Sequence, residues 1–405
     1  MSTKHFYIEI AITGFLLLLI ATLKLSITSP EDFCPDYYAA KHFINHVSAY
    51  SPVPCFKLHY SAHPPLAILL FVPFTLLPFE HASLIWGIIS LGFYIGAGIL
   101  LLKKAGWFSM KSVAIFLLFS VFWPSFLLAT HYHNTGQLLL FLIILSWTLK
   151  QTRFSYLSGI MLGFASLIKI WPVILLVGEL FVGKKRVAIP GFITILLGFI
   201  ISLVMVGYTT YFTYFTSIRL YEQTWLTHPS NLSIIGMLGK LFTGYSSETQ
   251  PIITQLATNK IFSLGYVLSI VFTCAVFMFL YWFKNKYKIK HNDKDLFIEG
   301  ILLTVSFLVF PLSWDWSIIL LLLPCVVILT KIHRFPEQPK WWYIFFLTGV
   351  FVLINPLAIF DHKTVSIKLA TYVLFTASVM LFLIYQMLLV LHIGKVTQEN
   401  ESCSP

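Results

Sequence analysis

The sequence predicts an all-α, polytopic membrane protein with about 12 transmembrane helices. Of the 405 residues, 58% are hydrophobic and only 11% are charged, and the mean hydropathy is +0.84. Soluble domains carry about a quarter charged residues, so a soluble core would not accommodate this much apolar surface. The apolar stretches are long and lack the alternating pattern of a transmembrane barrel. We therefore expect a single integral membrane domain over residues 1–405.

The clearest apolar runs are each long enough to cross a hydrocarbon layer of about 30 Å as a helix. Lys4 and His5 precede the first run and no small-residue cleavage site follows it, so we expect an uncleaved first helix. The runs cover roughly residues 8–28, 82–102, 187–207, 261–283, 341–360 and 367–392.

The basic residues indicate which loops face the cytoplasm. The net charge of +11 comes from residues in short loops between apolar runs, which indicates topology determinants and no nucleic-acid partner. Basic clusters within 184–186, 284–294 and 331–340 therefore mark cytoplasmic loops, and the C-terminal tail, 393–405, must share their side.

Two further basic turns, 103–104 and 150–153, reach the same side only if residues 65–79 do not cross and residues 156–183 cross twice. The alternative, in which 65–79 crosses and 156–183 is one long helix, would leave four basic residues outside.

Proline and lysine positions favour the first of these topologies. Pro65, Pro73 and Pro78 are typical of a re-entrant element rather than a full span. Lys169 and Pro172 interrupt the later apolar run, and a buried lysine is costly unless it reaches water or a partner. We therefore expect a hairpin whose tip, at Lys169, lies on the outer face.

This topology collects the polar segments on the outer face. They are the first outer loop, 29–64, the second large outer loop, 208–260, and the segments 131–137 and 311–316, together with Asp361. The second loop is rich in aromatic residues, so we expect order at the membrane interface rather than disorder. The sequence thus predicts a membrane-embedded site that opens to the outer face.

The first outer loop holds two carboxylates and two cysteines. Asp32 or Asp36 could act as a general base toward a hydroxyl, because desolvation at a membrane boundary raises carboxylate basicity. Helix capping or simple solvation is the alternative, and spacing does not decide between them. Cys34 and Cys55 could form a disulfide in an oxidising compartment or remain two free thiols.

Several cationic and hydrogen-bonding residues accompany these carboxylates. Lys169 could be a structural counter-ion or a phosphate ligand, and Arg219 is a second cation. His63, His131 and His133 could ligate a metal, but no acidic residue lies at a convincing interval, so we predict no metal site or cofactor.

Five segments form an ordered set of motifs over roughly residues 30–316. They are Asp32–Phe33 with Tyr37–Ala40 and Tyr50–Pro52, then Tyr60 with His63–Pro65, Gly136–Gln137, Leu167–Pro172 and Asn231–Gly236. Taken in order, these segments resemble glycosyltransferase family 87, whose members have the GT-C-type architecture with a functional first outer loop. Two departures from the family pattern are Leu232 in place of glutamine and Trp316 in place of histidine.

The resemblance implies an inverting transfer of mannose from a polyprenyl-phosphate sugar, by single displacement, to a glycan or glycolipid acceptor. Asp32, at the family's Asp position in a gapless reading to Tyr50, or else Asp36, would be the base. Lys169 and Arg219 would bind the donor phosphate. The expected substrate-binding residues are Tyr60, His63, His131, Gln137, His228, Asn231 and Asp315.

We therefore expect a polyprenyl-phosphate-sugar-dependent glycosyltransferase that acts on a lipid-linked or cell-envelope glycan. The family implies a bacterial cytoplasmic membrane with the site on its outer side. A transporter or flippase is the alternative, for which related halves with intramembrane charges in both would be expected. A structural or accessory protein would explain the spans but not the clustered charges.

Overall fold

The structure is a computed structural model that describes residues 3–28, 32–55, 61–228, 230–243, 255–287, 291–326 and 375–392. The described part is built from α-helices and two short 3-10 helices, Val72–Leu76 and Asp315–Leu321, and lacks any strand longer than an isolated bridge. The α-helices, in chain order, are α1 (Thr3–Thr28), α2 (Phe33–Ile44), α3 (Pro65–Leu69), α4 (Phe79–Ala105), α5 (Met110–Phe122), α6 (Pro124–Tyr132), α7 (Gly136–Leu149), α8 (Ser155–Ile168), α9 (Val173–Phe181), α10 (Lys185–Val206), α11 (Tyr208–Trp225), α12 (Ile234–Thr243), α13 (Gln255–Lys286), α14 (His291–Val309) and α15 (Phe375–His392).

Five helices in the described residues are long and apolar enough to cross a membrane: His5–Ile27, Phe79–Ala105, Lys185–Val206, Ser263–Lys286 and Phe375–His392. The pair α5 and α6, bent by 65°, makes a sixth if it is one broken span. Pro124 begins α6 at this bend, where its missing N–H and its ring prevent an uninterrupted helix.

The described residues confirm the all-α prediction, and the candidate spans coincide with five of the six clearest apolar runs. The sixth run, 341–360, and the tail 393–405 lie outside the described residues. The total of about 12 spans and the GT-C-type architecture stay predictions.

The two interrupted segments are broken at the places that the proline and lysine positions predicted. Residues 65–79 contain two five-residue helical pieces, each too short to span a bilayer. In the second segment, α8 ends at Ile168, Lys169 has extended backbone angles, and α9 begins only at Val173. One continuous helix over 156–183 is therefore wrong, while the hairpin and the side of the membrane that Lys169 faces stay predictions.

The chain forms two compact units. The first comprises Met1–Val173 and Arg186–Tyr221, and the second comprises Ile174–Lys185 and Glu222–Pro405. In the first unit α1 packs on α4 and α5, α7 packs on α4 and α8, and α2 packs on α3 and the 3-10 helix Val72–Leu76. In the second unit α13 packs on α12 and α14.

Candidate functional site

The helix α2 carries both candidate carboxylates and is held by an aromatic cluster. Phe33 and Tyr37 are buried against Phe71 and Trp86, with ring centroids of Phe33 and Phe71 5.8 Å apart. The Tyr37 hydroxyl donates to the carbonyl oxygen of Leu77 over 2.8 Å. The inward face of α2 is thus fixed, and Asp36, between these two positions and also buried, lies on the protein side of the helix.

Asp36 is the centre of a buried polar cluster. Its Oδ1 accepts a hydrogen bond from Ser61 Oγ at 2.7 Å and lies 2.9 Å from His63 Nδ1. Only 3% of the Asp36 side chain and 10% of the His63 side chain are exposed. A buried carboxylate needs such donors, because an unpaired one would lose its hydration without compensation.

His63 is held at both ring nitrogens and at its backbone. Its Nε2 lies 3.3 Å from Thr135 Oγ1, at the N-cap of α7, and its carbonyl oxygen accepts from the Tyr50 hydroxyl at 2.8 Å. Its backbone N–H donates to Ser61 Oγ at 3.2 Å. His63 therefore links α2 to the start of α7. The spacing of these residues in the sequence did not indicate this contact.

Asp32 has a different environment from Asp36, although the two are one helical turn apart. It is the N-cap residue of α2, and its backbone N–H donates to the carbonyl oxygen of Tyr132 at 2.8 Å. Its side chain is partly exposed and makes no capping hydrogen bond. The capping explanation that the sequence left open is therefore wrong for the side chain of Asp32.

Lys169 and Tyr221 lie within electrostatic reach of both aspartates. Burial lowers the pKa of the Lys169 ammonium, and the charges of Asp32 and Asp36 act in the opposite direction. Burial raises the pKa of the Tyr221 phenol, and the same two carboxylates raise it further. Residues that are far apart in the sequence thus belong to the first unit, and the charges of both carboxylates act on Lys169 there.

Tyr221 is the member of this group that the sequence did not single out as a site residue. It lies near the end of α11 in a run rich in tyrosine and phenylalanine, which indicated only interfacial order. Arg219, the predicted second phosphate ligand on the same helix, is exposed.

The segment between α6 and α7 is fixed by contacts to two spans. His133 has left-handed backbone angles, with φ of 55°, and its Nε2 lies 2.7 Å from Ser26 Oγ of α1. Its carbonyl oxygen accepts from Trp86 Nε1 of α4 at 2.9 Å. Burial lowers the pKa of His133 to about 4, so its ring is neutral near pH 7.

Two predicted substrate-binding residues lie in or beside this segment. Gln137 is buried, and its Nε2 donates to Thr130 Oγ1 at 3.3 Å, whereas His131 is partly exposed. A role in binding substrate stays a prediction for both.

A disulfide between Cys34 and Cys55 crosslinks α2 to the segment that follows it, with Cα atoms 6.1 Å apart. The alternative of two free thiols is therefore wrong. Cys34 lies midway between Asp32 and Asp36 in the sequence, so the crosslink acts on the helical turn that carries both.

In the second unit, Asn231 is a structural hub. It is fully buried, and its Nδ2 donates to the carbonyl oxygens of Leu226 at 2.9 Å and Pro311 at 2.6 Å. Its Oδ1 accepts from the backbone N–H groups of Ser233 and Ser313, each at 3.1 Å. The bonds to Pro311 and Ser313 join the Asn231 motif to the segment that begins at Pro311, and the other two hold the motif itself.

Aromatic rings surround that junction. The ring of Trp314 lies 5.4 Å from that of His228 and 6.0 Å from that of Trp225, measured between centroids. Lys240 donates from Nζ to the carbonyl oxygen of Asn231 at 2.5 Å. Of the remaining predicted substrate-binding residues, Tyr60 and the side chain of Asp315 lie outside the described part. Among the described residues, no group of three His, Cys, Asp or Glu side chains could hold a metal ion.

Comparison with known proteins identifies one family. The model of glycosyltransferase family 87 matches residues 62–311, more than half of the chain. No curated protein matches the chain. The matched range includes His63 and Lys169 but begins after Asp32 and Asp36, so the assignment of the first outer loop depends on the contacts described above.

Proposed function

The chain belongs to glycosyltransferase family 87 and is a membrane glycosyltransferase, and we propose that it transfers a hexose from a polyprenyl-phosphate sugar to a lipid-linked or cell-envelope glycan. Mannose is the first sugar to test. The observation that carries this proposal is the convergence of Asp32, Asp36 and Lys169 in one unit. A carboxylate beside a cation is what an acceptor hydroxyl and a phosphate leaving group require.

The reaction is an inverting single displacement. The acceptor hydroxyl oxygen attacks the anomeric carbon from the face opposite the phosphate, and the bond between that carbon and the phosphate oxygen breaks. The hydroxyl proton passes to the carboxylate of the base, and the bonding electron pair leaves with the phosphate. Lys169 stabilises the charge that grows on the leaving phosphate, and this stabilisation counts for most where water is excluded.

Exposure favours Asp32 over Asp36 as the base. Asp32 is partly exposed at the helix start, whereas Asp36 is buried and its Oδ1 already accepts from Ser61 and faces His63. A base must come within about 3 Å of the proton that it removes, either directly or through one water. Asp36 meets this condition only if the buried cluster opens.

The placement of Lys169 supports a lipid-linked donor. It directly follows the apolar helix α8, so its ammonium is anchored at the end of a lipid-compatible element. A phosphate carried on a polyprenyl chain would meet a cation there without leaving the membrane. The Cys34–Cys55 disulfide supports a site on the outer side, because disulfides persist in oxidising compartments.

The test is a transfer assay with purified protein in detergent. A radiolabelled polyprenyl-phosphate mannose is offered with an acceptor lipid fraction from the source cells, and product is followed for the wild type, Asp32→Asn and Asp36→Asn. We expect Asp32→Asn to lower kcat by about 10²- to 10⁴-fold, the usual contribution of a general base. Asp36→Asn should retain far more activity.

The outcomes separate the parts of the proposal. A larger loss in Asp36→Asn than in Asp32→Asn would exchange the roles of the two residues. Equal activity in all three proteins would exclude a carboxylate base from α2. Transfer from a nucleotide sugar, with none from any polyprenyl-phosphate sugar, would overturn the lipid donor.

A further inference from the structure

The contacts of His63 bridge two elements that are far apart in the sequence. Nδ1 faces Asp36 on α2 at 2.9 Å, and Nε2 faces Thr135 at the N-cap of α7 at 3.3 Å. The Tyr50 hydroxyl donates to the carbonyl oxygen of His63 at 2.8 Å, which fixes the backbone at the same point. The ring therefore has a single orientation, set from three sides.

The bridge has little contact with solvent. The side chains of Asp36 and His63 are 3% and 10% exposed, and both ring nitrogens of His63 lie within hydrogen-bonding distance of protein atoms. Because a carboxylate only accepts, Nδ1 carries the hydrogen in this contact. Neither nitrogen is left for a sugar hydroxyl, so a direct role of His63 in binding substrate does not follow from these contacts.

The bridge does act on the residue that we propose as the base. Asp36 and Asp32 are one helical turn apart, and the turn between them is a rigid, hydrogen-bonded unit. Its start is attached to Tyr132 through the Asp32 backbone N–H at 2.8 Å, and its end is attached to His63 through Asp36. A displacement of about 1 Å in a catalytic group can lower a rate by about 10²-fold.

We propose that Asp36 and His63 form a positioning pair for the transfer reaction. They hold the first turn of α2 against the segment that starts α7, and thereby fix the carboxylate of Asp32. This inference depends on the proposed function, because it assigns to Asp32 the contact with the acceptor hydroxyl.

The test compares two substitutions at one position. His63→Ala removes the bridge, whereas His63→Asn places an amide nitrogen where Nδ1 stood and can still donate to Asp36. We expect His63→Ala to lower kcat by about 10- to 100-fold with KM changed less than about threefold. His63→Asn should recover most of the lost kcat.

Three controls accompany this comparison. His81→Ala changes an exposed histidine and should leave kcat and KM unchanged. The double variant Asp36→Ala, His63→Ala should be no slower than the slower single variant, because members of one bridge are not additive. If His63→Ala does not fold, Thr135→Val, which removes only the Nε2 contact, should still lower kcat by about threefold or more.

Each contrary result is informative. A higher KM with unchanged kcat in His63→Ala would assign His63 to substrate binding. A kcat within about twofold of the wild-type value, in folded His63→Ala or in Thr135→Val, would exclude the positioning role. If His63→Asn is as slow as His63→Ala while Thr135→Val keeps the wild-type kcat, the imidazole itself takes part in the chemistry and positioning is excluded. Failure of the proposed function would be seen earlier and separately, as absence of transfer by the wild type.

Discussion

Cys34 of α2 is disulfide-bonded to Cys55, across a Cα distance of 6.1 Å, and lies two residues from each candidate carboxylate. The crosslink closes a loop with a sequence separation of 21 residues that contains Tyr50, the donor to the His63 carbonyl. The covalent bond and the buried polar cluster therefore stabilise the same turn of α2.

The paired variant Cys34→Ser, Cys55→Ser should be less stable than the wild type. Removal of a crosslink over a loop of this length costs about 3 kcal/mol of unfolding free energy. Thermal unfolding in detergent, with and without reductant, measures the effect, and Cys274→Ser provides the control because Cys274 is exposed and unpaired with another cysteine. A wild-type Tm that does not respond to reductant would show that the disulfide contributes nothing to stability.

Lys169→Met should lower kcat for transfer by about 10²- to 10³-fold, the effect of removing one group that stabilises a developing oxyanion. Lys169→Arg should retain part of the activity, because the arginine side chain keeps the positive charge but replaces the compact ammonium with a planar guanidinium. Lys111→Met, at an exposed position on α5, is the matched control for loss of a lysine. Equal kcat in Lys169→Met and Lys111→Met would remove Lys169 from the reaction and leave it a structural counter-ion.

His133 should make the protein less stable in acid. Its pKa is about 4 in the folded chain and about 6.5 in an unfolded one, so between these values the unfolded chain binds more protons. Stability should therefore fall as pH decreases from about 6.5 to 4, by roughly 3 kcal/mol from this group.

The check is Tm against pH for the wild type and His133→Asn. Asparagine tolerates the left-handed backbone at this position but does not titrate in this range. The Tm of the variant should depend less on pH over this interval, whereas parallel curves would assign the acid sensitivity to other groups.

Asn231→Ala should destabilise the second unit and not merely weaken substrate binding. The substitution leaves the backbone N–H groups of Ser233 and Ser313 without the Asn231 oxygen that accepts from them, and each unsatisfied buried group costs about 1–3 kcal/mol. Thermal unfolding reports the loss, with exposed Asn45→Ala as the control. An unchanged Tm with a raised KM would instead support the substrate-binding role that the motif predicted.

Gly159→Ala and Gly92→Ala should have opposite effects on stability. A Cβ at Gly159 would overlap the carbonyl oxygen of Val187 where α8 meets α10, whereas a Cβ at Gly92 in α4 meets nothing within 4 Å. Alanine gains about 1 kcal/mol over glycine in a helix interior, so Gly92→Ala should be neutral or stabilising and Gly159→Ala destabilising. A Tm of Gly159→Ala equal to that of Gly92→Ala would mean that the two helices separate at little cost.

Local patterns were sufficient for much of the fold. Hydropathy over about 20 residues predicted the spans, because each helix satisfies its own backbone hydrogen bonds and needs only apolar side chains to remain in lipid. Proline positions and Lys169 likewise predicted the short elements within 65–79 and the break between α8 and α9. These are properties of neighbouring residues and can be read in order along the chain.

The candidate site depended on contacts between distant residues. The sequence left Asp32 and Asp36 as alternatives, because one helical turn separates them and spacing does not reveal which faces the protein. It assigned His63 and Asn231 to substrate, whereas the structure shows the side chains of both engaged by protein atoms.

The sequence by itself determined that this protein is a helical membrane protein of a glycosyltransferase family, because apolar length and ordered motifs are local properties. Only the tertiary structure decided that Cys34 pairs with Cys55, that Asp36 is buried against Ser61 and His63, and that Tyr221 joins Lys169 near both carboxylates. The physical reason is that burial and pairing depend on which helices pack together. The residues that decide this packing are spread along the sequence of the first unit, so no local pattern reveals it.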